Sequence, residues 1–256
     1  MPARSDLVQD ARVRDDLATV RLGTAFFRRA LDRLTDVQLD EPSLLPGWTR
    51  RHVVAHVGYN ARAIARLVDW AATGVENPMY PSPQSRAEEI ELGATLSPEA
   101  LRNLSEHAAI ELDVRWRDLP ADRWEARVVT AQGREVPASE TLWMRTREVW
   151  LHAVDLAGGA RIDDVPRQVL VRLVGDVLAA WCRRGEDPVL LCVTDAPGGE
   201  APPTGLDGDR GGVDAVVVSG SLAALAAWAT GRLPDSQRAD RLTWSQGRPY
   251  AAPSWI

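Results

Sequence analysis

Apolar residues return at intervals near 3.6 through residues 6–35, and the run stops ahead of Leu39-Asp40-Glu41-Pro42, which predicts a first long helix. Pro46-Gly47 then supplies a turn, and Thr49 stands at the N-cap position of a second apolar stripe over 49–73, stopped by Gly74. The Pro-rich stretch Asn77-Pro78-Met79-Tyr80-Pro81-Ser82-Pro83 reads as a loop over the helix ends. A third helix is expected from Ser97 to about Arg117, and a fourth from about Ser139 to Leu156. Between them, Trp124 to Arg134 carries β-branched residues and a Gly turn and reads as extended. Four amphipathic helices of this length bury their stripes best against one another, so the first half of the chain is expected to form a bundle.

The pattern changes after Gly158-Gly159. Residues 165–184 read as a helix, Val189 to Val193 as a buried strand, Val213 to Val218 as another, and Ser221 to Thr230 as a helix closed by Gly231. Residues 195–212, with six glycines and three prolines, form a long loop between the strands. The division expected is a helical domain over 1–160 and a small α+β domain over 161–256.

At 256 residues the chain can bury a core without disulfides. Its two cysteines, Cys182 and Cys192, lie in apolar surroundings without a neighbouring histidine, which suits buried thiols in a reduced cytoplasmic protein. Every basic residue is arginine, yet the formal charge is −6 and no basic stripe appears, which argues against nucleic acid as a partner. No leader-like apolar region and no membrane-length apolar run is visible. Acidic small molecules remain compatible, since one arginine in a pocket binds a carboxylate whatever the global charge.

Candidate chemistry rests on the four histidines, His52, His56, His107 and His152. Glu148 and His152 are four apart in the fourth helix, so they share a face and can reach one metal ion. Arg145 and Arg147 lie close enough in sequence to make Glu148 an ordinary ion-pair residue instead. The second helix offers His52 and His56, again four apart, and spacing leaves open which of them is the third ligand. Two imidazoles and a carboxylate suit zinc with one position left for water or substrate, and nitrogen donors argue against calcium or magnesium. His107, in Ser105-Glu106-His107, reads as a surface or core histidine rather than a ligand.

Several stretches, in order along the chain, carry a family resemblance: Gly47-Trp48-Thr49 through Ala55-His56-Val57 to Ala61, Pro78-Met79-Tyr80, Thr130 to Arg134, Pro137 to Arg145, Arg147 to Leu156, Val216 to Ala223, and Gly231-Arg232. Together they closely resemble the mycothiol-dependent maleylpyruvate isomerases. The resemblance implies an α+β protein, an N-terminal DinB-like four-helix bundle joined to a small C-terminal α/β domain. It implies zinc held by His56, Glu148 and His152, His56 being chosen over His52 because the family's first ligand stands in an Ala-His-Val context. It implies a functionally needed arginine in a Gly-Arg pair, here Arg232.

The activity so implied is mycothiol-dependent conversion of maleylpyruvate to fumarylpyruvate in gentisate degradation, by addition of a zinc-activated thiolate, bond rotation and elimination. Asp155, one turn after His152, is the candidate to orient that imidazole; Asn60, one turn after His56, is the candidate to hydrogen-bond thiol or substrate. A mycothiol S-transferase and a non-catalytic zinc or thiol sensor are the competing functions. A monomer without membrane partners is expected.

Overall fold

The computed structural model describes residues 5–196 and 215–255. The chain divides into two compact units, Met1–Ala160 and Arg161–Ile256.

In the first unit, helix α1 (Ala11–Asp32) begins later than its apolar pattern, because Asp10 caps it by accepting the N–H groups of Arg12 and Val13. Helix α2 (Arg50–Thr73) follows Thr49 and ends at Gly74, whose φ of 75° is the left-handed conformation that closes a helix. Helix α3 (Pro83–Ala94) was not anticipated. Its Ser82-Pro83 start repeats the N-cap and N1 arrangement of Ser97-Pro98, which opens α4 (Pro98–Asp118). The extended stretch read over Trp124 to Arg134, with its Gly turn, is a short antiparallel hairpin that runs three residues further, β1 (Arg127–Val129) and β2 (Glu135–Pro137) with Gly133 in the turn, and it leads into α5 (Glu140–Asp155).

Helices α2 and α4 pack face to face, as do α1 and α5, and α2 also packs on α5. Leu17, Val20, Ile64, Leu67, Leu112, Trp116 and Leu142 form the shared core. Close approach of α1 to α5 needs Gly23, where a Cβ would meet Trp150 Nε1 at 2.5 Å. Helices α1 and α4 touch little, and between them lies a cavity of about 620 Å³ lined by Val20, Phe27, Leu112 and Trp116, with Arg145 and Val149 of α5 also on its wall.

The register of α2 against α5 is set by buried arginines. Arg50 Nε, at the start of α2, donates to the Leu156 carbonyl at 2.7 Å; Arg145 Nη1, on α5, donates to the Val57 carbonyl at 2.6 Å. These contacts lie on either side of His56 in sequence, so they fix where it meets α5.

In the second unit, α6 (Arg167–Arg184) packs on α7 (Leu222–Ala229), with Trp181 and Trp228 edge to face at 5.8 Å. Strands β3 (Val189–Val193) and β4 (Val216–Gly220) pair in parallel, Leu191 opposite Val218. Beyond the expected elements, α8 (Asp235–Arg241) leads to β5 (Leu242–Trp244), which pairs antiparallel with β4 and makes the sheet three-stranded. The loop read over 195–212 falls, beyond residue 196, outside the described residues, as do residues 213 and 214 of the second strand as read. Both units together make the α+β class expected.

Candidate metal centre

Glu148 and His152 occupy one face of α5 and meet His56 of α2. The Nε2 atoms of both histidines point at one oxygen, with His56 at 2.7 Å and His152 at 3.1 Å from Glu148 Oε2. These ligand atoms all lie within 4.8 Å of one another. The two imidazoles meet edge to face, centroids 4.8 Å apart, and His56 is 4% exposed. Trp48, from the turn before α2, lies 5.6 Å from the His56 ring.

The electrostatics follow from burial and contact. Burial pushes the His56 imidazole below its ordinary value, against the opposing pull of Glu148, which favours the neutral form that coordinates metal. Burial also acts on His152, but hydrogen bonds to Asp155 and Glu148 outweigh it and hold that imidazole above its ordinary value. Burial alone would raise Glu148; its electrostatic attraction to His56 and hydrogen bonds from both histidines overcome it and keep the carboxyl well below the usual range. One ionised carboxylate oxygen and two imidazole nitrogens, in a cluster buried at His56 and half-buried at Glu148 and His152, are a donor set that fits a divalent first-row metal.

The remaining expected residues divide. Asp155 is 0% exposed, and its Oδ2 accepts from His152 Nδ1 at 2.8 Å, leaving Nε2 to face Glu148. Asn60 is buried, and its Oδ1 accepts from Arg145 Nη1 at 2.9 Å. His52 stays outside the cluster: its Nδ1 accepts from the Thr49 N–H at the start of α2, and its Nε2 is 3.5 Å from Glu91. His107 is exposed on α4. Arg232 belongs to the second unit, half-buried just past α7, where its Nη1 donates to the Thr230 carbonyl.

Two residues near the cluster carry no role in the sequence reading. Tyr80, from the Pro-rich loop, is pushed up to about 12 by burial, so its hydroxyl keeps its proton. Arg145, weighed above only as an ion partner of Glu148, instead spans from α5 to α2, and nothing in the local sequence marks it as buried.

The family model described as the mycothiol maleylpyruvate isomerase N-terminal domain matches residues 20–157. A crystal structure of the mycothiol-dependent maleylpyruvate isomerase is 45% identical, covers 95% of this chain and 97% of its own, and superposes with a TM-score of 0.85. The chain belongs to the mycothiol-dependent maleylpyruvate isomerase family. A crystal structure of a histidine-to-alanine mutant of that isomerase is 44% identical over the same shares of the two chains, with the same TM-score of 0.85. No curated protein sequence matches the chain. The family match spans α2 and α5, so all three clustered ligand candidates lie inside the maleylpyruvate isomerase domain.

Proposed function

We propose that this chain isomerises maleylpyruvate to fumarylpyruvate with mycothiol as cofactor, in the breakdown of gentisate. The observation that carries the reading is the convergence of His56, Glu148 and His152 on one point, in a chain of this family.

Maleylpyruvate has a cis double bond conjugated to carbonyl groups, and its ends cannot turn until that bond loses its double-bond character. The substrate's central bond becomes single when the alkene carbon accepts a thiolate, turns, and becomes double again as the thiol leaves. Zinc, when bound, supplies the acidity that keeps the mycothiol sulfur ionised at neutral pH, where a free thiol with a pKa of about 8.5 is mostly protonated.

The chain's own groups do the rest. His56, Glu148 and His152 hold the ion with three protein donors, the count typical of a site that leaves one position for a ligand. Asp155 keeps the Nδ1 proton of His152 in place, so that Nε2 stays the donor atom. Asn60 gives its oxygen to Arg145, which leaves its amide nitrogen as the group for thiol or substrate. Arg232 is the cation that the family resemblance offers for a substrate carboxylate or for the enolate-like charge formed on addition. A fixed cation of this kind contributes on the order of 3 kcal/mol to such a step.

The test mixes zinc-loaded protein with maleylpyruvate, with and without mycothiol, follows the ultraviolet spectrum for fumarylpyruvate and assays free thiol. Conversion that needs thiol but consumes none is the expected result. Net consumption of thiol would assign an S-transferase, and metal binding without turnover a zinc or thiol sensor.

A further inference from the structure

Arg145 is 2% exposed and sits one helical turn before Glu148 on α5. Among the described residues its hydrogen bonds run through Nη1 alone, to the carbonyl of Val57, the residue after His56, and to Oδ1 of Asn60, one turn further along α2. It therefore joins the two ligand-bearing helices directly behind the cluster. Among the described residues no carboxylate pairs with it. Other interhelical arginines differ: Arg21 pairs with Asp6 and Asp113, and Arg115 with Asp69 and Glu111, all at the surface.

A buried cation without a counter-ion is costly, and an apolar or neutral side chain of similar size would serve as a strut at lower cost. Glu148 is the carboxylate whose charge acts on Arg145 against burial, but among the described residues it makes no ion pair with it and is already shared between His56 and His152, and the Tyr80 hydroxyl keeps its proton. On the cavity side the acids of the rim face arginines of their own, as Asp113 does Arg21 and Glu106 does Arg28.

We propose that Arg145 is a positioning residue whose buried positive charge makes the metal centre select an anionic ligand, a thiolate, over a neutral one. The inference rests on the thiol reading given above and adds the residue that biases the site toward the ionised sulfur. Such a charge acts against the metal and for its anionic ligand, which separates it from a strut, whose loss would weaken both.

The experiment uses the full chain loaded with cobalt(II), with Arg145→Gln and Arg145→Lys beside the unaltered protein. Mycothiol is titrated by its sulfur-to-cobalt charge-transfer band and imidazole, a neutral probe, by the visible ligand-field bands; cobalt affinity is measured by chelator competition. Arg145→Gln is expected to weaken mycothiol about tenfold, or ~1.4 kcal/mol, to leave imidazole within about twofold, and to hold cobalt at least as tightly as before. Arg145→Lys is expected to restore mycothiol binding. Equal losses for both probes, no loss for either, or weakened cobalt binding would overturn the proposal and leave Arg145 a strut. If Arg145→Gln does not fold, Arg145→Met keeps an unbranched side chain without the charge and should give the same selective loss; an unchanged ratio of the two affinities there is equally damaging. Unaltered protein that takes cobalt but gives no sulfur band with mycothiol would sink the thiol reading itself, and this inference with it.

Discussion

Replacing Asp155 by alanine separates the metal affinity that resides in the three ligands from the part that resides behind them. The carboxylate is fully buried, with Oδ2 2.8 Å from His152 Nδ1, and against burial its hydrogen bond does most to raise this imidazole. A hydrogen bond to a charged group contributes about 1.5–3 kcal/mol. Part of that is present before metal binds, so only the portion that strengthens on coordination appears in the affinity. The expected loss is about 10- to 100-fold, or ~1.4–2.7 kcal/mol. Asp155→Asn keeps an acceptor without the charge and should fall between alanine and the unaltered protein. The assay is competition for zinc with a chromophoric chelator, paired with an NMR titration of His152 in metal-free protein, whose pKa should drop in the alanine variant. Affinity within about twofold of the unaltered protein, together with an unmoved His152 titration, would refute the argument that Asp155 sets the donor nitrogen.

The choice between neighbouring histidines is tested by metal content: His56→Ala should lose zinc, whereas His52→Ala should keep it and lose only the support His52 gives the start of α2, about 0.5–2 kcal/mol in a chemical-denaturation curve. Gly23→Ala sets a Cβ 2.5 Å from Trp150 Nε1 and 2.7 Å from Val149 Cγ2, so overpacking of ~1–3 kcal/mol outweighs the ~1 kcal/mol gained in helix propensity; an unchanged or higher melting temperature would contradict the close packing of α1 on α5. The Arg21 guanidinium bonded to Asp6 holds that carboxyl below its ordinary value, so its contribution is present above the unfolded value of about 3.9 and is lost as pH falls through the folded one. Asp6→Asn should therefore cost under ~1 kcal/mol at pH 7 and progressively less on acidification, and a urea-unfolding difference that does not shrink by pH 3 would exclude this. Arg232→Ala should keep its zinc and lose about two powers of ten in turnover, consistent with ~3 kcal/mol for a fixed cation, and full turnover would remove Arg232 from the chemistry.

Which features were legible in the sequence follows from whether their cause is local. The four long helices of the first unit announce themselves because each buries a stripe of its own, and Ser97 and Gly74 mark two of their ends; the apolar pattern alone starts α1 at residue 6 and misses the cap at Asp10. Helix α3 escapes that reading because it contributes little to the core beyond Ile90 and Gly93; where it crosses α2, a Cβ on Gly93 would lie 2.7 Å from the Ala55 Cβ, so the contact is made by the absence of a side chain rather than by an apolar repeat. Its one local signal is Ser82-Pro83, hidden at the end of a loop-like run of prolines. The site divides in the same way. Glu148 and His152 are paired by the pitch of one helix and can be found by counting, as can Asp155 one turn on. His52 and His56 cannot be told apart by counting, since both lie on one face of α2; the difference is made by where Arg50 and Arg145 pin α2 to α5, and by the use of His52 at the helix start. Arg145 is the extreme case, because an arginine three residues before a glutamate reads as a surface ion pair, and only the packing of two helices turns it into a buried charge behind a metal centre. A charge in that position acts on whatever binds in front of it, which is why the residue least visible to local reasoning is the one on which the ligand preference of the site depends.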